Sequence, residues 1–376
     1  MQASWAPEVL ALFLELASVP SPPGEERAVA DRVIRYLRDL GLEVSEDDAG
    51  ARIGSTAGNI LARLEPTNGG GGIPIFLCAH LDTIAPSGSI EPVVSDGVVR
   101  NAAGTILGAD NKAAVAALLE AARLLLSERR EHAGVELLFT VKEETGCEGA
   151  AAFDVSSLTA AVGFVYDYEG PIGDVVMAAP YQRTIDAVFT GRAAHAGISP
   201  EEGRSAVVAA ARAIADLRLG RIDEETTANV GVIEGGTARN VVPERCRVVA
   251  EARSRDERKL EQIVAEMVDC FAFAAAVSEC EVETQIVSKY PGYRLHRDDL
   301  PVRLAAQALE RSGYSTRAVE SNGAADANVF NGRGRRCANL ANGMTRIHSP
   351  DEQIAVADLE AMVGVTLELV EAARGA

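Results

Sequence analysis

A two-domain α/β fold, in which a mixed-sheet α/β/α domain carries an inserted βαββαβ domain, is predicted for this chain by three observations. Its 376 residues exceed what one hydrophobic core usually supports, so about two domains are expected. From Asn59 onward, apolar β-rich runs alternate with Ala-rich or amphipathic helical runs, as in a sheet layered with helices. Between Pro180 and Pro291 the rhythm becomes strand, helix, strand, strand, helix, strand, which closes as a ferredoxin-like split βαβ unit. Residues 1–180 with 291–376 are therefore assigned to the first domain and 181–290 to the insert.

The elements follow in order. Pro7–Ala17 and Glu25–Leu40 have helical apolar spacing, and the Pro-rich Ser18–Gly24 between them stops one helix and starts the next. Asn59–Leu64 and Ile73–Leu81 are β-rich, joined by Asn68–Gly72, expected as a flexible turn. A helix over Asn111–Leu126 and strands at Val135–Val141 and Ala161–Tyr166 continue the alternation. Within the insert, Thr184–Phe189, Ala228–Ile233, Arg247–Ala252 and Glu281–Ser288 read as strands, with helices at Gly203–Leu217 and Glu257–Ala276. After Gly292, helices near Pro301–Ser312 and Ala357–Arg374, with short strands between, return the chain to the first domain.

Composition narrows the function. Hydrophobic residues at 47% and charged residues at 24% exclude a disordered chain. A formal charge of −19 repels nucleic acid and anionic membrane surfaces, so neither is expected as a partner. Met1–Pro20 lacks a basic n-region and carries Glu8 and Glu15 in its apolar stretch, and no run approaches a membrane span. A cytoplasmic chain is expected, with its six scattered cysteines reduced.

Five histidines make their neighbours informative. His80 ends an apolar strand in Phe76–Thr83, and strand periodicity puts Asp82 on its face, where a carboxylate could orient a metal-bound imidazole. A strand-end salt bridge would look the same. Asp110, in Gly108-Ala-Asp-Asn-Lys112, is either a helix N-cap or a carboxylate at a sheet edge that can bridge two cations. Glu143-Glu144 closes another strand, as a solvated turn or as a ligand beside a free carboxylate; Asp167 ends a third strand and His348 lies in the polar loop Arg346–Glu352. Together, His80, Asp110, Glu144, Asp167 and His348 each end a strand or follow one. Two histidines and three carboxylates suit two divalent cations sharing Asp110, Zn²⁺ first and Mn²⁺ or Co²⁺ as alternatives. Paired metals activate a water for hydrolysis, and Glu143, beside a ligand yet free, would move the protons.

His80-Leu-Asp-Thr83, Gly108–Lys112, Glu143-Glu-Thr-Gly146, Asp167 and His348–Glu352 resemble, in this order, the two-zinc peptidases that include tripeptidase T, glutamate carboxypeptidase and aminoacylase, and are most similar to peptidase T-like proteins. The resemblance implies hydrolysis of an amide bond in small peptides, with an N-acyl amino acid amidohydrolase or a carboxypeptidase as the alternative. A non-catalytic, metal-bound peptide-binding protein would be favoured by loss of Glu143 or Asp82, and both are present. It further implies that the insert is a lid and dimerisation domain of a homodimer, and that His195, in Gly191–Gly197, polarises the scissile carbonyl. By the same resemblance Asn240 and Arg253 contact substrate, and the peptide bond after Asp110 is cis. Ala325 departs from the Ser common beside the following aspartate. His132 and His296, among polar neighbours, are expected at the surface.

Overall fold

Strands in which every residue is buried form the middle of the larger of two units. The computed structural model describes residues 5–67 and 71–376, so Asn68–Gly70 of the expected glycine turn lie outside the described residues. Met1–Ala178 with Arg294–Ala376 makes one compact unit and Ala179–Tyr293 the other.

In the larger unit the chain runs through α1 (Ala6–Ala17), α2 (Arg27–Asp39), β1 (Glu43–Glu46), β2 (Ile60–Leu64), β3 (Ile75–His80), α3 (Ala109–Ser127), β4 (Val135–Thr140), β5 (Val162–Tyr168) and β6 (Asp174–Ala179). The sheet order is β1-β2-β4-β3-β5, continued by the strand Arg336–Ala341 of the C-terminal segment and then by β6. β3 is parallel to β4 and β5, while β1, β2 and β4 pair antiparallel, so the sheet is mixed as expected. β1 escapes sequence detection because its four residues, Glu-Val-Ser-Glu, are mostly exposed and carry no apolar alternation. The helix α3 is apolar on nearly every side because β3 and β5 lie against it and α1 packs alongside.

The smaller unit contains β7 (Tyr181–Thr190), α4 (Ala206–Asp216), β8 (Thr226–Gly235), β9 (Arg245–Ser254), α5 (Glu257–Val277) and β10 (Glu281–Ser288). Its sheet runs β8-β9-β7-β10, antiparallel throughout. Alternate residues of β7 and β9 bury Ile185, Ala187, Phe189 and Val248 against the two helices, with Phe189 and Phe271 in edge contact at 5.9 Å. The short strand Gly220–Arg221 pairs with Ala228 and Thr227 of β8; beyond that point, among the described residues, β8 is a sheet edge.

The chain returns through α6 (Leu300–Arg311), β11 (Arg317–Glu320), α7 (Asp326–Gly332), β12 (Arg336–Ala341) and α8 (Val356–Arg374). β12 joins the large sheet parallel to β5, and α8 packs on α3 and α6. Phe330 of α7 meets Phe76 of β3 edge-on at 5.1 Å, and Gly163 of β5 leaves room for that ring: a Cβ there would lie 2.1 Å from it. The parallel strands β3, β4, β5 and β12 thus end together, which is where open α/β sheets bind ligands. His132, expected at the surface, is instead 3% exposed. Its main chain exchanges hydrogen bonds with Thr67, which anchors this segment, and burial lowers its pKa. His296 is exposed. No helix among the described residues is long and apolar enough to cross a membrane.

Candidate metal centre

Each sheet-edge residue singled out in the larger unit comes from a different strand end or loop, and five of them converge. His80 closes β3, with Nε2 3.1 Å from Asp110 Oδ1 and 3.6 Å from Asp167 Oδ1. Asp110 turns its other oxygen to His348, 3.3 Å away, and His348 Nε2 lies 3.0 Å from Glu144 Oε2. Two groups result, His80–Asp110–Asp167 and Asp110–Glu144–His348, with Asp110 common to both. Asp110 and Asn111 interrupt the start of α3 with non-helical backbone angles, Asp110 at φ −81° and ψ 101°, and the peptide bond between them is cis; the Asp110 carboxylate faces the two histidines and caps no helix.

Asp82 faces His80 through both its main chain and its carboxylate. β3 ends at His80, so Asp82 lies just past the strand. The Asp82 main-chain oxygen makes the 2.9 Å contact to His80 Nδ1, and its carboxylate stands at 3.4 Å from the same atom. That carboxylate also accepts the main-chain N–H of Glu143 at 2.9 Å and of Glu144 at 3.0 Å. With Nδ1 held on the Asp82 main-chain oxygen, Nε2 is the nitrogen that faces the carboxylates, and it would ligate an ion on giving up its proton.

The electrostatics are those of crowded buried acids. Burial pushes the Glu143 carboxyl well above the usual carboxylate range, and Asp167 adds to it. Burial also raises Glu144 to about 7, against the hydrogen bond from His348, and raises Asp167 to about 6, against the pull of His80. Burial alone would lower the His80 pKa, but Asp167, Asp110 and Asp82 outweigh it and hold it well above the ordinary value. Hydrogen bonds to Asp110 and Glu144 carry His348 up to about 10, and the two histidines pull Asp110 down despite burial. Protons compete here for a place that suits cations.

Three residues without a role in the sequence reading support the centre. Asn339 of β12 brackets Asp167, accepting its N–H at 2.9 Å and donating to its C=O at 2.8 Å. Cys147 donates its thiol hydrogen to Glu143 Oε1 at 3.2 Å. Asp326, 2% exposed, accepts from the Thr140 hydroxyl with one oxygen and leaves the other without a partner. Asp326 lies in a motif already singled out beside Ala325; Asn339 and Cys147 sit among apolar or unrelated residues and carry no local signal.

His195, Asn240 and Arg253 belong to the smaller unit. His195 is exposed on the loop after β7, and its Nδ1 accepts the Gly197 N–H at 3.1 Å, which places the imidazole proton of the neutral ring on Nε2. The main-chain oxygen of Asn240 accepts the Ala196 N–H at 3.0 Å, and His195 pairs with Val241, so the two loops brace each other. Arg253 makes a bidentate pair with Glu251 at 3.0 and 3.1 Å, within the same strand.

The donor set of the larger unit fits two divalent ions. Ligands bound tetrahedrally at about 2.0–2.1 Å stand roughly 3.3 Å from one another, and His80 and His348 stand 3.0–3.6 Å from their carboxylates. Each group offers one imidazole nitrogen and carboxylate oxygens, the N/O chemistry of borderline cations.

Known proteins resemble this chain along its whole length. Residues 59–187 match the model of peptidase family M28, and residues 183–278 match the peptidase dimerisation domain. The uncharacterized protein YqjE of Bacillus subtilis (strain 168) is 39% identical over 96% of this chain and 97% of its own. The crystal structure of aminopeptidase PepT from Bacillus cereus ATCC 10987 superposes with a TM-score of 0.87 at 38% identity, covering 98% of each chain. That of a tripeptidase from Staphylococcus aureus subsp. aureus Mu50 gives 0.92 at 31% identity, covering 99% of each. With likeness at this level along the whole length, and with the paired ligand groups at the sheet edge, the chain belongs to the peptidase T-like family of metallopeptidases.

Proposed function

We propose that this protein hydrolyses the peptide bond of short peptides at their amino end, with two divalent metal ions, Zn²⁺ in the first place, held by His80 and Asp167, by Glu144 and His348, and by Asp110 between them. The observation that carries the reading is the placement of Asp110, with one oxygen toward His80 and the other toward His348. Ions bound there supply Lewis acidity and an acidified water. Glu143 holds the proton account of the reaction. Its carboxylate, beside the proposed ligand Glu144 yet outside both groups that contain Asp110, suits a group that takes a proton from the attacking water and gives it to the leaving amine. Its main chain is anchored on Asp82 and its carboxylate on the Cys147 thiol, so the base is held in place. His195, with a proton fixed on Nε2, is suited to donate to the carbonyl oxygen as negative charge develops, reaching the site across a homodimer. Asn240 and Arg253 are proposed to contact the bound peptide. The similarity to an aminopeptidase and a tripeptidase favours peptides over N-acyl amino acids as substrates.

The test is a hydrolysis screen of di- and tripeptides, amino-blocked peptides and N-acyl amino acids, run after chelation and again after adding Zn²⁺, Mn²⁺ or Co²⁺. Metal-restored cleavage of free-amino peptides is expected. Turnover confined to N-acyl amino acids would move the assignment to amidohydrolase, and full activity after chelation would overturn the metal role.

A further inference from the structure

We infer that Glu352 is a positioning residue for the metal centre, a buried clamp that locks the loop carrying Asp110 to the loop carrying His348. The inference rests on the proposed ligand roles of those two residues. Glu352 is 2% exposed. Its Oε2 accepts the main-chain N–H groups of Leu107 and Gly108, both at 2.8 Å, and its Oε1 accepts that of Asp110 at 2.9 Å. Three N–H donors occupy the two oxygens, so Glu352 is engaged as an acceptor and is not among the candidate ligands.

The other end of the clamp is equally fixed. Thr345 and Gln353 exchange main-chain hydrogen bonds at 3.0 and 3.1 Å, closing the loop that holds both His348 and Glu352. Gln353–Ala355 then pairs with Val98–Asn101, which anchors that loop on a small sheet. Asp110 and His348 lie 238 positions apart in sequence, and Glu352, four residues after His348, holds the main chain of the Asp110 segment. Charge-assisted bonds from a carboxylate to main-chain N–H groups are stronger than neutral ones, and losing the support of a ligand typically weakens metal affinity by about 10–100-fold.

The experiment titrates Zn²⁺ into chelator-treated full-length protein by calorimetry, for the natural chain, Glu352→Gln, Glu352→Ala and His348→Ala. Circular dichroism of each metal-free variant checks the fold. Glutamine keeps one oxygen for Leu107 and Gly108 and turns an NH₂ group against the Asp110 N–H, so Glu352→Gln should weaken Zn²⁺ by about 10-fold or more. Glu352→Ala should weaken it further. If Glu352→Ala fails to fold, the glutamine variant decides alone. Unchanged Zn²⁺ affinity in folded Glu352→Gln, with affinity lost in His348→Ala, overturns the clamp by itself. Unchanged affinity in both variants overturns the ligand assignment and the clamp with it.

Discussion

Asp82 holds Glu143 by its main chain: the buried carboxylate accepts the Glu143 N–H at 2.9 Å while the main-chain oxygen of the same residue contacts His80 Nδ1 at 2.9 Å. One residue therefore sets both a proposed ligand and the proposed base. Asp82→Ala should weaken metal affinity by about 10–100-fold. It should also lower kcat at saturating metal, because the Glu143-Glu144 turn loses two acceptors at once. Metal titration and steady-state kinetics separate the two effects. A variant whose turnover recovers fully at high metal would confine Asp82 to supporting His80.

Glu143 offers a sharper separation between metal binding and chemistry. It neighbours Glu144 in sequence but lies outside both groups that contain Asp110. Glu143→Ala should therefore keep two metal ions per chain, measured by elemental analysis, while losing roughly 10²–10⁴-fold in kcat, the usual worth of general acid–base catalysis. Near-natural turnover at full occupancy would remove the role.

The contrast between these residues and their supports explains what the sequence discloses. His80, Glu144 and Asp167 are legible because they stand at or just after the ends of apolar strand runs, and Asp110 and His348 because their residue types stand out at a helix start and in a polar loop. The βαββαβ insert is legible because its two-layer core imposes a clear alternation on β7 and β9. Asn339 and Cys147 are silent, since their value lies in contacts to residues fixed only by strand pairing and by a turn at positive φ. Asp82 shows the intermediate case. Strand periodicity places it on the His80 face, where its carboxylate stands 3.4 Å from Nδ1, but β3 stops two residues early and the same carboxylate also holds the neighbouring loop, which no periodicity shows.

Asp326 gives a pH signature of the metal-free protein. Burial raises its carboxyl from the ordinary 3.8 to about 7, with Asp167 and Asp82 adding and the Thr140 hydroxyl and His80 opposing. Cys78 and Cys147 also face it, and both hold their protons through this range because burial raises them well above the usual thiol value. Below about pH 4 both folded and unfolded chains carry the Asp326 proton. Between about pH 4 and 7 the unfolded chain releases it while the folded chain retains it, so this group's contribution to stability falls as pH rises. Asp326→Asn keeps an acceptor for Thr140 without the charge. In the presence of chelator, the stability of this variant relative to the natural chain should rise from pH 5 to pH 8, read by denaturant unfolding. A difference that does not change with pH would mean that Asp326 is not held protonated.

The last prediction concerns His195. A developing oxyanion needs a hydrogen-bond donor, and the Gly197 N–H on Nδ1 leaves the neutral His195 ring with Nε2–H as one. Loss of one such donor costs about 10²–10³ in kcat, so His195→Ala should be folded, metal-loaded and nearly inactive. The match of residues 183–278 to a peptidase dimerisation domain, and the open edge of β8, motivate a test across subunits. If His195 serves the partner's site, a heterodimer of inactive His195→Ala and inactive Glu143→Ala subunits regains one site with both groups intact. An equal mixture after complete exchange is half heterodimer, so about a quarter of the natural activity should return. Subunit exchange is verified with differently tagged chains. A mixture that stays inactive after verified exchange would exclude action across the dimer, and His195 would then have to serve its own chain or none.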